Sequence, residues 1–167
     1  MNPDGSAYRF GETQTNPEIG KLLETIAEKG ADAFYTGKTA QQMVDLINER
    51  GGCFALSDFT DYHPKYRQVM HPTYHGTDVV SFGPPSGGCA VLEMLNILEH
   101  RDVRETGQNT AATIHALAES MKLGFADRSQ ALGDPDFVQV DTDRLISKKF
   151  ADERAALLTE EAGEFAA

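Results

Sequence analysis

The segment IHALAESMKLGFADRSQALGDPDFV, residues 114–138, carries the longest helical pattern of the chain. Apolar residues recur in it at helical spacing and predict the buried face of a helix over about residues 110–132. The residues of that face are Ile114, Leu117, Ala118, Met121 and Phe125. Gly133-Asp134-Pro135 follows directly and predicts the end of the helix, because proline cannot continue it.

Two helices are predicted before this segment, near the start of the chain. Asn16 is expected to cap a helix that begins with Pro17 and ends at Gly30. A second helix fits residues 38–50, and Ser57 or Asp58 is expected to cap one further turn. The apolar stripes of the two longer helices predict that each has one buried face; they are Ile19, Leu22, Leu23, Ile26 and Ala27, then Ala40, Met43, Val44 and Ile47.

Between these helices and the long one, the pattern changes to that of strands. Val79, Val80 and Phe82 predict a strand, and His75-Gly76 predicts the turn before it. Pro72 places the resulting antiparallel pair near a sheet edge. The sequence therefore predicts an α+β fold, a helix-rich segment with one short antiparallel strand pair, and shows no internal repeat and no clear domain boundary.

Two more helices are predicted after the strands. One follows the Gly- and Pro-rich loop at residues 83–88 and is expected to bury Val91, Met94, Leu95 and Leu98. The last helix starts near Ser147, and its expected apolar residues are Phe150, Ala151, Ala155 and Leu158. Residues 1–15 are predicted to be a flexible tail or linker, residues 16–158 the helix-rich segment, and residues 159–167 an acidic tail.

The composition of the 167 residues excludes several classes of protein. A net charge of −11 argues against binding to nucleic acid or to an anionic membrane. No apolar run approaches the length of a membrane span, and no leader-like segment follows Met1. Cys53 and Cys89 form no metal-binding motif; a single disulfide stays open, and two free, partly buried thiols are the interpretation we favour.

The loop Gly83-Pro84-Pro85-Ser86-Gly87-Gly88 is the most unusual local feature. Its glycines allow a close approach of backbone or ligand at the start of a helix, where free N–H groups attract anions. Ser86, Gly87 and Gly88 are therefore candidate substrate-binding residues. The alternative, which we favour on the loop alone, is a tight strand-to-helix corner without a ligand.

Other clusters of polar residues have simpler explanations. His71 and His75 are interrupted by proline and glycine, so they are expected to be surface histidines rather than zinc ligands. The acidic residues Asp134, Asp136, Asp141 and Asp143 lack the spacing of a calcium loop and fit helix ends and caps. Asp127-Arg128 fits a surface or packing ion pair better than a catalytic pair. Serine-hydrolase and phosphate-loop motifs are absent from the sequence, and no metal or cofactor is predicted.

The order of the motifs resembles that of the gamma-glutamyltransferase family, also called gamma-glutamyltranspeptidases or glutathione hydrolases. The resemblance covers about residues 16–150, and two stretches in it are not generic. One is Gly-Ala-Asp-Ala-Phe-Tyr-Thr-Gly at residues 30–37, and the other begins with Phe-Ala-Asp-Arg at residue 125 and ends with Leu-Gly-Asp-Pro-Asp-Phe at residue 137. The pieces YHGTDVVSFGPPSGG (74–88) and MLNILE (94–99) lie between them in the family's order.

The resemblance implies an N-terminal-nucleophile hydrolase with an αββα sandwich, made as a precursor that cuts itself into two subunits. The nucleophile in that family is a threonine at the start of the small subunit, and its own α-amine is the general base. The present segment resembles the C-terminal part of the large subunit, so neither that threonine nor the substrate-binding arginine is expected here, and no catalytic residue is assigned. The expected partners are the remaining precursor and a small gamma-glutamyl substrate. Bacterial members of the family are usually exported, but the localisation of the parent protein stays open.

Two classes of function are compatible with this pattern. The first is an enzyme segment that is inactive alone and that self-associates through uncovered apolar surface. Its substrate is a gamma-glutamyl amide such as glutathione, or another amide if the parent is a related acylase. That option stays open because Pro85 occupies the position of the first serine in the family's Pro-Pro-Ser-Ser-Gly-Gly loop. The second class is a non-catalytic helical binding module.

Overall fold

A computed structural model describes residues 4–165 of the chain. In the first part of this range the helices are α1 (Pro17–Lys29), α2 (Asp32–Tyr35), α3 (Gly37–Glu49) and α4 (Ser57–Thr60). The strands that follow are β1 (Val69–Met70), β2 (Thr73–Tyr74), β3 (Thr77–Asp78) and β4 (Ser81–Phe82). The remaining helices are α5 (Gly88–Leu98), α6 (Val103–Thr106), α7 (Ala111–Ala131), α8 (Thr142–Leu145) and α9 (Lys148–Ala155). No helix within residues 4–165 is both long and apolar enough to cross a membrane.

The chain divides into two compact units, the first ending at Lys65 and the second beginning at Tyr66. The sequence carries no composition change at this point, which is why it indicated no boundary. The helix-rich α+β class predicted from the sequence is confirmed, because short antiparallel strands are the only sheet structure in the described residues.

In the first unit, α3 and α4 form a small core. Ala40, Val44 and Phe59 are buried, and Phe34 and Met43 pack against them. The loop between the two helices is closed by Asn48, whose side-chain amide donates to the carbonyl oxygen of residue 54 at 2.7 Å and accepts from its N–H at 2.9 Å. This unit therefore buries the face of α3 that the sequence predicted.

Helix α1 begins and ends where the sequence predicted. The Asn16 side chain accepts from the N–H of Ile19 at 3.1 Å, Pro17 is the first helical residue, and Gly30 has φ 77° at the end. The apolar stripe of α1 is not buried within the described chain, and Ile19 and Leu23 are exposed. The helix prediction is correct, but the expectation that this face is buried is not met here.

In the second unit, four short strands form two antiparallel pairs rather than the single pair predicted. Strand β2 pairs with β3 across a two-residue turn, and β1 pairs with β4 outside it. His75 and Gly76 form the turn with φ values of 46° and 77°, a combination that suits the right-handed twist of a hairpin. Val79 and Val80 lie between the pairs, so the strand predicted there was misplaced.

Helix α5 is the centre of the second unit and contacts α7, α8, α9 and β4. Its buried face differs from the prediction: Val91 is 52% exposed, whereas Leu92 and Ile97 are fully buried. Leu98 is buried as expected, and Met94 and Leu95 are only partly buried. The prediction failed because α5 is enclosed on most sides, so its apolar residues do not mark a single face.

The long helix α7 has the predicted position but presents the opposite face to its neighbours. Ile114 is 54% exposed and Phe125 is 51% exposed, and the rest of the predicted face is also exposed. The buried residues are Thr113, Ala116, Glu119, Ser120, Leu123, Gly124 and Asp127. Gly124 explains this choice, since a Cβ there would lie 2.6 Å from Met94 Cγ of α5. Small residues allow the two helices to approach closely, and Leu123 is buried with them, whereas the apolar residues of the predicted stripe point away.

Four of the remaining helices begin at side-chain caps. Thr110 and Ser147, near which the sequence predicted helix starts, cap α7 and α9, and Asp102 and Asp141 cap α6 and α8. At α4 the prediction was wrong: the residue before the helix is Leu56, which makes no side-chain cap, and Asp58 instead accepts from the N–H of Ala55 at 2.8 Å. Ser57 is the first residue of that helix rather than its cap.

A single lysine fixes the hairpin to the helices of the second unit. Lys148, the first residue of α9, donates to the carbonyl oxygen of Thr73 at 2.7 Å, to Asn96 Oδ1 at 2.7 Å and to Glu99 Oε2 at 2.5 Å. The other oxygen of Glu99 accepts from the N–H of His75 at 2.5 Å. The turn, α5 and α9 are thus joined by one hydrogen-bonded network, which holds the entrance of the loop at residues 83–88.

Candidate functional site

The glycine-rich loop connects β4 to the first turn of α5. The N–H of Ser86 donates to the carbonyl oxygen of Gly83 at 3.1 Å, which closes a tight turn. Pro84 is buried, whereas Ser86 and Gly87 are exposed. Gly87 precedes α5 with φ −73° and makes no side-chain cap, and the first residues of the helix, Gly88, Cys89 and Ala90, are buried.

Gly88 is buried under strand β4, and its contacts explain why glycine is required there. A Cβ at this position would lie 2.2 Å from the carbonyl oxygen of Phe82 and 2.4 Å from Ser81 Oγ. At Gly87, by contrast, nothing lies within 4 Å of an added Cβ. Packing alone accounts for the second glycine, and the exposed pair Ser86 and Gly87 is the part of the loop left open to a ligand.

A groove of about 670 Å³ lies beside the loop, between β1, Pro84 and the segment that leads into α8. Arg67 is its one arginine among the described residues. The guanidinium group of Arg67 is paired with Asp136 at 2.8 Å and with Asp134 at 3.5 Å. Because both carboxylates already neutralise it, Arg67 is not set up to bind a substrate carboxylate, and no arginine of the sequence was assigned that role.

The aspartates after α7 have the structural roles that the sequence suggested. Asp134 Oδ1 accepts from the N–H of Asp136 at 3.0 Å, and Asp141 Oδ1 accepts from the N–H of Arg144 at 3.1 Å. His71 and His75 are exposed. In the part of the chain that the structure describes, no group of three or more histidine, cysteine, aspartate or glutamate residues could hold a metal ion.

The two cysteines are free thiols with different surroundings. Cys53 is exposed and Cys89 is buried, so the expectation that both are partly buried was wrong for Cys53. Burial raises the pKa of the Cys89 thiol to about 11, and the thiol is therefore protonated at neutral pH. A protonated buried thiol is a poor nucleophile, which leaves Cys89 with a packing role beside Leu145 and Phe150.

A second polar site is buried between the helices of the second unit, and the sequence did not indicate it. Glu93 of α5 is 1% exposed and Asp127 of α7 is 4% exposed. Arg154 of α9 donates a short hydrogen bond to Asp127 Oδ1. Asp127 thus pairs with Arg154 rather than with its neighbour Arg128. No sequence signal links these residues, because they come from three helices separated by tens of positions.

The end of the described chain lies against α7 and lines an apolar groove of about 720 Å³. The N–H of Gly163 donates to Glu119 Oε2 at 3.0 Å, and its carbonyl oxygen accepts from Lys122 Nζ at 2.5 Å. The ammonium group of Lys122 also lies 5.5 Å from the centre of the Phe165 ring. Beside this docked segment, Met121 and Phe125 of the exposed α7 face form the floor of the groove.

The arrangement of helices and short strands is similar to part of the fold of N-terminal-nucleophile hydrolases of the gamma-glutamyltranspeptidase and acylase type. Two solved structures share it: the gamma-glutamyltranspeptidase of Helicobacter pylori, with a TM-score of 0.78 and 32% identity, and the cephalosporin acylase of Bacillus halodurans, with a TM-score of 0.80 and 30% identity. They are matched over 93% and 96% of this chain and over 45% and 30% of their own.

The sequence model of the gamma-glutamyltranspeptidase family matches residues 1–166, and the chain belongs to this family. Among curated relatives, the glutathione hydrolase proenzyme of Escherichia coli (strain K12) is 38% identical over 149 residues. The acylase ACY 1 proenzyme of Pseudomonas sp. (strain SE83) is 36% identical over 157 residues. These matches cover 89% and 93% of the chain but only 26% and 28% of the two precursors, so the chain spans about a quarter of their length.

Proposed function

We propose that this chain is the C-terminal part of the large subunit of an enzyme that hydrolyses or transfers gamma-glutamyl groups from glutathione or related amides. The observation that carries the proposal is the family match over nearly the whole chain, combined with coverage of about a quarter of each precursor. The chain contains no Thr-Thr pair, so the nucleophilic threonine belongs to another part of the precursor. On its own the chain is inactive.

Within such an enzyme, this segment would provide packing and substrate positioning rather than the reacting groups. A threonine nucleophile with its own α-amine as base would supply the chemistry from the small subunit. The exposed turn at Ser86 and Gly87 would contact the substrate, and Gly88 would hold that turn against β4. The hydroxyl group of Ser86, which lies on the exposed turn, is suited to an anionic or carbonyl oxygen.

The partner that we propose for the exposed face of α7 is a sheet layer of the remaining precursor. Support comes from the helix itself, whose apolar residues Ile114, Met121 and Phe125 are exposed while polar and small residues and Leu123 are buried. A helix that lies between two neighbouring layers buries one face against each of them. One face of α7 packs on the second unit, and a sheet of the precursor would cover its apolar face. The same surface would lead the isolated chain to self-associate.

The test of the activity uses the complete precursor and the 167-residue chain side by side. We expect the complete precursor to cleave itself and to hydrolyse a chromogenic gamma-glutamyl anilide, and the chain alone to give no turnover. Turnover by the chain above background would contradict the proposal, because it would require a nucleophile among these residues. A gene that ends directly after Ala167 would instead favour the non-catalytic binding module.

A related acylase is the second candidate, and a specific residue favours it. Pro85 stands where the family resemblance places a serine, and the acylase ACY 1 proenzyme is 36% identical to this chain. We therefore suggest that the complete enzyme be given a gamma-glutamyl anilide and an acylated cephalosporin in parallel. The substrate with the larger kcat/KM distinguishes the two candidates, and a Pro85→Ser variant would move the ratio toward the gamma-glutamyl substrate if this position selects it.

The role of the loop has its own test in the complete enzyme. Ser86→Ala removes one hydroxyl group from an exposed turn whose own hydrogen bond uses only the backbone N–H. If the loop contacts the substrate, we expect a higher KM with unchanged stability of the enzyme. An unchanged KM for Ser86→Ala and for Gly87→Ala would remove the loop from the substrate site.

A further inference from the structure

The buried site formed by Glu93, Asp127 and Arg154 has more acid than base. Glu93 and Asp127 are almost completely enclosed, and the side chain of Arg154 donates to Asp127. Glu93 lies within hydrogen-bonding reach of the Asp127 carboxyl group. If both carboxyl groups were ionised, one guanidinium group would face two buried negative charges, and buried charges are stable only when they are balanced.

The charged and titratable groups around Glu93 do not supply the missing balance. From α8, Arg144 acts on Glu93 only through space, since its guanidinium group lies over the Phe150 ring at 4.2 Å. From its own helix, Glu93 faces the neutral thiol of Cys89, and β4 contributes no titratable group. Glu164 lines the small cavity next to Asp127 and Arg154 and adds a further negative charge.

The hydrogen bonds of the site point to the same conclusion. Among residues 4–165, Glu93 Oε1, Asp127 Oδ2 and Arg154 Nε are buried and have no hydrogen-bond partner. Two carboxylates cannot hydrogen-bond to each other, because each oxygen only accepts. One proton on either group converts an unpaired acceptor into a donor and pairs it with the other carboxylate.

We propose that Glu93 and Asp127 hold one proton between them, and that this shared proton joins α5 to the Asp127–Arg154 pair of α7 and α9 as a pH-sensitive lock. With one proton the site is neutral: one shared negative charge faces one guanidinium group. Loss of that proton at alkaline pH leaves two carboxylates in contact and loosens α9 from α5 and α7. Burial, followed by the hydrogen bond to Asp127, raises the pKa of Glu93 to about 9, which agrees with this picture.

The sign of the pH dependence follows from this pKa. A glutamate whose pKa is raised in the folded state contributes its full stability below the unfolded value of 4.5, and loses it as the pH rises toward about 9. Across this window the folded chain holds one more proton than the unfolded chain. The equilibrium constant for folding should therefore fall about tenfold per pH unit through this group alone.

The experiment compares urea unfolding of the full 167-residue chain with that of its Glu93→Gln variant at several pH values between about 5 and 9. The side-chain amide of glutamine can donate to Asp127 but does not titrate. As the pH rises, the ratio of the folding constant of E93Q to that of the unmodified chain should therefore increase by up to about tenfold per pH unit. The matched control is Glu153→Gln, which removes the same charge from an exposed position of α9. Its folding constant should keep a fixed ratio to that of the unmodified chain.

A ratio between the folding constants of E93Q and the unmodified chain that stays constant at all pH values would overturn the proposal. If E93Q is weaker by that constant factor, Glu93 is an ionised partner of Arg154. If E93Q does not fold, infrared spectroscopy of the unmodified chain decides alone. Near neutral pH the spectrum of the unmodified chain should show the carbonyl stretch of a protonated carboxyl group, and the same band should persist in the control variant E153Q. Absence of the band from the unmodified chain would show that Glu93 and Asp127 are both ionised.

Discussion

Replacing Gly88 with alanine tests the strand-to-helix corner more directly than any other single change. Gly88 is the first residue of α5, and its Cα faces the backbone of β4. An added Cβ would lie 2.2 Å from the carbonyl oxygen of Phe82, 2.4 Å from Ser81 Oγ and 3.0 Å from the N–H nitrogen of Phe82. Non-bonded carbon atoms prefer about 3.5 Å or more, so the closest contact is short by over an ångström.

The cost depends on which atoms can move. The Ser81 hydroxyl group can rotate away, but the carbonyl and N–H of Phe82 belong to a strand whose register is fixed by pairing with β1. Either β4 or the first turn of α5 must therefore shift. Overpacking typically costs about 1–3 kcal/mol and more where backbone moves, so we expect Gly88→Ala to lower the free energy of unfolding by about 3 kcal/mol.

Gly87→Ala is the matched control, one residue away in the same loop. Nothing lies within 4 Å of an added Cβ there, and φ is −73°, which alanine adopts without strain. Replacing the glycine before the helix and reducing the entropy of the unfolded chain both have small effects on stability. We therefore expect the free energy of unfolding to change by no more than about 1 kcal/mol. Urea unfolding followed by circular dichroism measures both variants. Equal stabilities of Gly88→Ala and Gly87→Ala would refute the argument that packing requires the second glycine.

Three further predictions concern the rest of the described chain. Ile114→Asp together with Met121→Asp should reduce self-association of the isolated chain, measured by light scattering, with little change in helix content; unchanged scattering would mean that this face does not mediate association. Lys148→Met removes the three hydrogen bonds of its ammonium group and should lower stability by about 1–2 kcal/mol, with faster hydrogen exchange in the hairpin as the distinguishing readout. A thiol reagent should modify Cys53 in the folded chain and Cys89 only after unfolding, and equal rates at both would contradict their assignment as exposed and buried.

The sequence predicted helix ends well because the signals for them are local. The side chain of Asn16 and the positive φ of Gly30 act within one turn of the residues they terminate, and the same holds for Thr110 and Ser147. The error at Ser57 is also local: an aspartate one residue later satisfies the backbone in a different way. Helix ends can therefore be predicted from the local sequence wherever a single side chain makes the hydrogen bond that ends the helix.

Strands and buried faces depend on partners that lie far away in the sequence. The β-branched pair Val79-Val80 suggested a strand, yet the hairpin register is set by the turn at His75-Gly76 and by pairing of Thr73 with Asp78. The Glu93–Asp127–Arg154 site gave no signal at all, because its residues are contributed by three different helices. The sequence marked the loop at residues 83–88 as unusual, but only the contact with β4 explains why position 88 is a glycine.

Helix α7 shows what an amphipathic pattern does and does not determine. Its apolar stripe marks a face that favours apolar surroundings, and its row of small residues marks a face that permits close contact with another helix. Within residues 4–165 only the second face is covered, because Gly124 and Ala116 let α5 and its neighbours approach. The burial of Glu119 and Asp127 on this face is tolerated because Lys122 and Arg154 pair with them. A helix that buries acidic residues while leaving Ile114 and Phe125 exposed has two contact faces, and the exposed apolar face is the one that our proposal assigns to the remaining precursor.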